Sequence, residues 1–201
     1  MTRIILAEDQ VMMREALAAL LDQEPDLEVV GQCGRGDEVV DLAAATRADV
    51  ALVDIELPGL DGLTAAARVV VEVQACAVVI VTTFARPGYL HRALDAGVRG
   101  FVVKDGPAEA LADAIRRVAR GERVVDPDLA VTALSAGASP LTGREADALR
   151  AAENGATVAD IASALFLSEQ TVRNYLSSAI GKTGTRNRIE AADQARRAGW
   201  L

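Results

Sequence analysis

Aromatic side chains make up only 3% of this 201-residue sequence. Its core must therefore come from Ala, Val, Leu and Ile, which suits a parallel sheet covered by helices. Long apolar runs are also missing. None approaches the roughly 18 residues that cross a bilayer, which excludes a transmembrane helix, and Met1-Thr2-Arg3 leads straight into a strand-like run without the shape of a signal peptide. A cytoplasmic protein with no membrane partner is expected. The cysteines, Cys33 and Cys76, are far apart and lack metal-ligand spacing, so reduced thiols are expected rather than a disulfide. His91 and Trp200 occur singly, belong to no motif and receive no function.

Positive charge is short overall, with a net charge of -8, and the shortfall is uneven. Through Asp128 there are 13 Lys and Arg against 22 Asp and Glu, a net of -9; from Leu129 onward 8 against 7 leaves +1. The acidic total argues against indiscriminate binding of polyanions, while a near-neutral second part can still present a basic surface. The length accommodates two domains, each able to bury a core.

Five apolar runs have strand character: Ile4-Ile5-Leu6, Val29-Val30, Val50-Ala51-Leu52-Val53, Val78-Val79-Ile80-Val81 and Gly100-Phe101-Val102-Val103. Segments of helical spacing follow each, as in Met13/Leu17/Leu20 and Leu111/Ile115/Val118. The strands are continuously apolar and so buried on both faces. The expected fold of residues 1–121 is a doubly wound α/β domain, a (βα)5 parallel sheet between helices. Residues 122–140, with Asp126-Pro127 and a small-residue run ending at Pro140, read as a linker. Residues 141–201 read as all-helical, with segments near 145–153, 158–165, 169–181 and 188–198.

Such sheets gather function at the carboxyl ends of their strands. That rule places Glu8 and Asp9, Asp54, Thr82 and Lys104 in one pocket. Three crowded carboxylates repel unless a divalent cation offsets them, and an oxygen-only donor set suits Mg²⁺. Asp54 is placed to be a nucleophile, Lys104 to pair with a phosphoryl oxygen, and the Thr82 hydroxyl to donate to another. Singly, an acidic pair is also a helix cap and an Asp before a turn is ordinary; the combination at different strand ends carries the reading.

Four runs together resemble a response-regulator receiver over residues 1 to about 120: Ile5-Leu6-Ala7-Glu8-Asp9, Val53 through Gly62, Val81-Thr82-Thr83-Phe84 and Gly100 through Asp105. The resemblance implies Mg²⁺ held by the side chains of Glu8, Asp9 and Asp54 and by the Glu56 backbone carbonyl. It implies that Asp54 takes a phosphoryl group from a sensor histidine kinase, and that Thr82, Lys104 and Phe101 sense it, Thr82 moving toward the phosphate and the Phe101 ring turning inward. The protein would then be a switch and not an enzyme. The sequence departs from the common pattern in having Glu-Asp where Asp-Asp is usual, Lys-Asp where Lys-Pro is usual, and Glu56 two residues after the acceptor. That extra carboxylate is expected to hinder an attacking water and prolong the phosphorylated state. A small phosphatase or nucleotide-binding enzyme on the same fold, and a phosphorylation-independent regulator controlled by partner binding, are the competing readings.

In the second part, Val158, Ile161, Ala162 and Leu165 form one apolar stripe; Phe166-Leu167 then makes a turn and Ser168 can cap a new helix. On that helix Val172, Leu176 and Ala179 face one way, while Arg173, Asn174 and Ser177 face another. An ordinary helical hairpin fits this pattern, and so does a helix-turn-helix. In the second case Arg173 and Asn174 suit base edges, and Thr171, Lys182 and Arg188 suit phosphates of double-stranded DNA. Leu141 through Glu145, Asp160-Ile161-Ala162, Ser168 through Arg173 and Arg188 through Ala192 resemble a LuxR-type DNA-binding domain. Receiver plus this domain is the NarL/FixJ arrangement. Thr82 through Tyr89, Thr171 through Tyr175 and Asn187 through Ala191 are similar to members of that family that control lipid desaturase expression. Thr183 and Thr185 stand where the family is usually apolar, and Gly181 and Gly184 are expected to fray the reading helix. Paired half-sites imply a homodimer formed on phosphorylation. Its interface is expected on the first and fifth helices, at Met12, Met13, Leu17, Leu111, Ile115 and Ala119.

Overall fold

The structure, a computed structural model, describes residues 1–83, 86–136, 139–152 and 155–201. Phe84, Ala85, Gly137, Ala138, Glu153 and Asn154, which occur in segments read above, lie outside the described residues. The chain divides into two compact units, Met1–Ala85 with Leu90–Val131, and Arg86–Tyr89 with Thr132–Leu201.

The first unit is organised by a parallel sheet of β1 (Thr2–Ala7), β2 (Leu27–Cys33), β3 (Val50–Val53), β4 (Ala77–Thr82), β5 (Gly100–Val103) and β6 (Val124–Val125). The order is β2-β1-β3-β4-β5-β6. Helices α1 (Val11–Leu21), α2 (Val39–Thr46), α3 (Gly62–Glu72), α4 (Pro87–Asp95) and α5 (Ala108–Ala119) alternate with the strands. Every residue of β3 is buried, as its unbroken apolar run requires. Leu6, Leu52 and Val79 meet Leu17 of α1 and Ile115 of α5 in one core cluster. Cys33 and Cys76 are free thiols, both buried; burial pushes Cys76 up to about 12, so neither behaves as a reactive surface thiolate.

Strand register brings the carboxyl ends together. Ala7 pairs with Val53, so the residues that follow, Glu8 and Asp54, are neighbours, and the Asp54 amide donates to the Ala7 carbonyl at 2.9 Å. Thr82 pairs with Val103, and the Lys104 amide donates to the Thr82 carbonyl at 2.9 Å. Order reverses at β1, where a doubly wound sheet opens its ligand crevice.

The segment read as a linker is not all loop. Val124-Val125 adds β6 beside Gly100-Phe101, and α6 (Pro127–Ala136) follows. Asp126 caps that helix, its Oδ1 accepting from the amides of Asp128 and Leu129 at 3.0 and 3.1 Å, and Pro127 sits at the first helical position, where its missing N–H costs nothing. Asp-Pro was thus a helix start as much as a turn.

The helical segment contains α7 (Gly143–Ala152), α8 (Val158–Leu165), α9 (Glu169–Thr183) and α10 (Arg188–Arg197). Leu149, Ile161, Val172, Leu176 and Ala191 form its core, with Trp200 against it. The starts of α7 and α8 carry reciprocal Thr-x-x-acid caps, Thr142 with Glu145 and Thr157 with Asp160, which satisfy otherwise orphaned amides. Ser168 and Asn187 cap α9 and α10. Helix α9 continues past Gly181 to Thr183. Gly181 lies within α9, and Gly184 ends it in the left-handed conformation, φ 66°, that glycine adopts without strain. Buried Thr183 satisfies its hydroxyl on the carbonyls of Ala179 and Ile180.

Candidate functional sites

At the sheet's carboxyl edge, Glu8, Asp9 and Asp54 each offer an oxygen, all within 4.8 Å of one another. Glu8 and Asp54 are buried, while Asp9 is exposed. Asp54 Oδ1 accepts from the Ile55 amide at 2.8 Å, and its Oδ2 lies 3.0 Å from Lys104 Nζ. Lys104 also reaches Glu8 Oε2 at 2.5 Å. Burial by itself would lower the Lys104 pKa, but hydrogen bonds to Glu8 and Asp54 outweigh it and hold the ammonium above its ordinary value. One cation therefore stands among three carboxylates, and this oxygen-only cluster suits a divalent cation.

Two further contacts hold Glu8. Its Oε1 accepts from the Gln10 amide at 3.2 Å, and Arg14 of α1 donates to its backbone carbonyl. Sequence reading missed Arg14, whose one signal is a position that turns it back toward the strand end. The loop after Asp54 is fixed by close approach: a Cβ at Gly62 would fall 1.7 Å from the Asp54 carbonyl oxygen, so only glycine fits.

Thr82 is 1% exposed at the end of β4, and Phe101 is equally buried on β5. Glu56 is exposed, and its side chain stands outside the carboxylate cluster.

On α9, Val172, Leu176 and Ala179 are buried and Arg173, Asn174 and Ser177 exposed, as the sequence spacing requires. Arg173 pairs with Glu169 one turn earlier at 2.6 Å, and Asn174 Oδ1 accepts from Gln170 at 3.0 Å. Half-buried Thr171 bonds its hydroxyl to the Ser168 capping hydroxyl at 2.8 Å, and Arg188 is half-buried at the start of α10. Lys182 lies 2.7 Å from Glu145 of α7, a buried partner that sequence reading did not anticipate.

The expected dimer surface separates into two kinds of residue. Met12 is 82% and Met13 37% exposed, and Ala119 is exposed. Leu17, Leu111 and Ile115 belong instead to the core cluster, because α1 and α5 each turn one apolar stripe onto the sheet. Met13, Leu17, Leu20, Pro107 and Leu111 line a groove of about 290 Å³ between the two helices. Among the described residues no helix is long and apolar enough to cross a membrane.

Residues 4–116 match the signature described as "Response regulator receiver domain", and residues 139–195 that of "Bacterial regulatory proteins, luxR family". The chain is 44% identical over 201 residues to the transcriptional regulatory protein DesR of Bacillus subtilis, covering 100% of both. It is 41% identical over 201 residues to the response regulator RamR of Streptomyces coelicolor, covering 100% of this chain and 98% of that one. A crystal structure of the response regulator ChrA of a heme-sensing two-component system superposes with a TM-score of 0.58 at 31% identity, covering 99% of this chain and 98% of that one. A LuxR-family response regulator from Aurantimonas gives 0.63 at 28% identity, over 67% of this chain and 97% of that one. The chain belongs to the response regulators of the NarL/LuxR family, in which a receiver domain precedes a LuxR-type DNA-binding domain.

Proposed function

We propose that this protein is a cytoplasmic phosphorylation switch for transcription, with Asp54 as the phosphoacceptor and no turnover chemistry of its own on small molecules. The observation that carries the reading is Asp54, buried at the end of β3, touching Lys104 and grouped with Glu8 and Asp9. An Asp54 carboxylate oxygen attacks the phosphorus of a sensor kinase's phosphohistidine. The P–O bond to Asp54 forms as the P–N bond to the imidazole breaks, and the departing imidazole takes a proton. The Glu8, Asp9 and Asp54 side chains fit Mg²⁺ and would hold it, with the Glu56 carbonyl as the ligand that the receiver resemblance implies. When bound, the ion offsets the charge on the attacking carboxylate and the incoming phosphoryl oxygens.

Lys104, freed from Asp54 by that transfer, pairs with a phosphoryl oxygen, and Thr82 donates to another. Contacts of this kind exist only in the phosphorylated state, so they shift the population toward the arrangement that makes them. That arrangement forms a homodimer through the exposed residues of α1 and α5, presenting two reading helices to paired half-sites of double-stranded DNA. The exposed face of α9 and the similarity to DesR and RamR support this output.

Wild type and Asp54→Ala are incubated with acetyl phosphate and Mg²⁺, and labelling and DNA binding are followed. The expected result is stoichiometric labelling of wild type alone, with tighter DNA binding. Turnover without stable labelling, or equal DNA binding by both proteins, overturns the proposal.

A further inference from the structure

The sequence holds two lysines, Lys104 and Lys182, and both are committed to buried carboxylates. The second pair lies in the helical segment. Glu145, 5% exposed at the start of α7, accepts from Thr142 N, Ser178 Oγ and Lys182 Nζ, each at 2.7 Å. Ser178 and Lys182 lie four residues apart on α9, beside the face that carries Arg173, Asn174 and Ser177.

We infer that Glu145 is a positioning residue for DNA reading, and that Lys182 serves this contact rather than a DNA phosphate. The inference rests on α9 being the reading helix. Two bonds from one buried carboxylate to successive turns of α9 fix the rotation of that helix about its axis, and thereby the direction in which Arg173 and Asn174 point. Moving Lys182, whose side chain is 35% exposed, to a phosphate would leave the buried Glu145 carboxylate to the Thr142 amide and the Ser178 hydroxyl and take away the charge that Lys182 supplies. Arginines then supply the long-range attraction to DNA. The length of the Glu145 arm and the neutralising charge on Lys182 together set the register of the reading face.

Two measurements test this on the full chain. With ¹⁵N-lysine labelling, the two side-chain ammonium signals are followed as random-sequence duplex DNA is added. The Lys182 signal is expected to depend on Glu145, shifting in Glu145→Gln, and to stay in place while α9 amides move on DNA addition. In parallel, the dependence of log binding constant on log salt is measured for wild type and Lys182→Met, with Glu145→Gln/Lys182→Met replacing it if the single variant unfolds. Equal slopes are expected. A slope shallower by about 0.9, the loss of one phosphate contact, overturns the inference, as does a Lys182 signal that moves with DNA or ignores Glu145→Gln. For the positioning role, selection from a randomised duplex library is expected to give Glu145→Gln a flatter base preference than wild type, and an unchanged preference overturns that role. Failure of wild type to bind any duplex would instead count against the reading of α9.

Discussion

Lys104 grips two buried carboxylates at once, Glu8 at 2.5 Å and Asp54 at 3.0 Å, with all three side chains no more than 7% exposed. The longer arm of Glu at position 8 belongs to this arrangement. The proposed cation binding and phosphoryl transfer would both draw on Glu8 and Asp54, which Lys104 already holds.

Removing the Lys104 ammonium should therefore destabilise the receiver. Lys104→Met leaves two buried carboxylates facing one another, and breaking a buried pair costs about 3–5 kcal/mol. Saturating Mg²⁺ should restore part of the loss by supplying the missing charge. Urea unfolding of the variant with Mg²⁺ and with chelator checks this, and equal midpoints in the two conditions would count against it.

Glu56 is exposed, so its removal takes away charge without opening a cavity. Glu56→Ala should leave stability nearly unchanged and shorten the half-life of phosphorylated Asp54 by up to about tenfold, roughly 1.4 kcal/mol in the barrier to hydrolysis. Loss of label from the phosphorylated protein measures it directly.

The proposed dimer surface can be probed by contrast. A beryllofluoride mimic should raise the dimer fraction in sedimentation, and Met12→Glu, at an exposed position, should block it while leaving the fold intact. Leu17→Ala should instead lower stability by about 2–4 kcal/mol, since Leu17 covers the sheet.

Acid should loosen the helical domain through Glu145. Burial works to raise this carboxyl, but hydrogen bonds from Lys182, Ser178 and Thr142 outweigh it and hold it down at about 2 from an ordinary 4.5. A carboxyl depressed in the folded state contributes stability that is complete above its unfolded pKa and fades as pH falls toward the folded value. The loss should run between about pH 5 and pH 2. Trp200 fluorescence during urea unfolding at successive pH values should show it, and Glu145→Gln should be less sensitive to pH across the same window.

The strands, most helices and the pocket residues Glu8, Asp9, Asp54, Thr82 and Lys104 were legible in the sequence. Buried parallel strands write themselves as apolar runs, and the carboxyl-edge rule says where their following residues meet. The exposed polar side of α9 was legible from its 3.6-residue spacing. β6 and α6 were not, because a two-residue strand has no periodicity and Asp126-Pro127 suits a turn as well as a helix start.

Sequence by itself thus determined the family and the gathering of Glu8, Asp9 and Asp54 at the strand ends, since both are written in local patterns. Tertiary structure decided which charges are already taken. That Lys104 joins Glu8 to Asp54, that Lys182 answers Glu145, and that Leu17, Leu111 and Ile115 belong to the core all depend on side chains brought together from distant positions. Pairing of that kind follows from burial, which the order of residues along the chain specifies only after the strands have found their register.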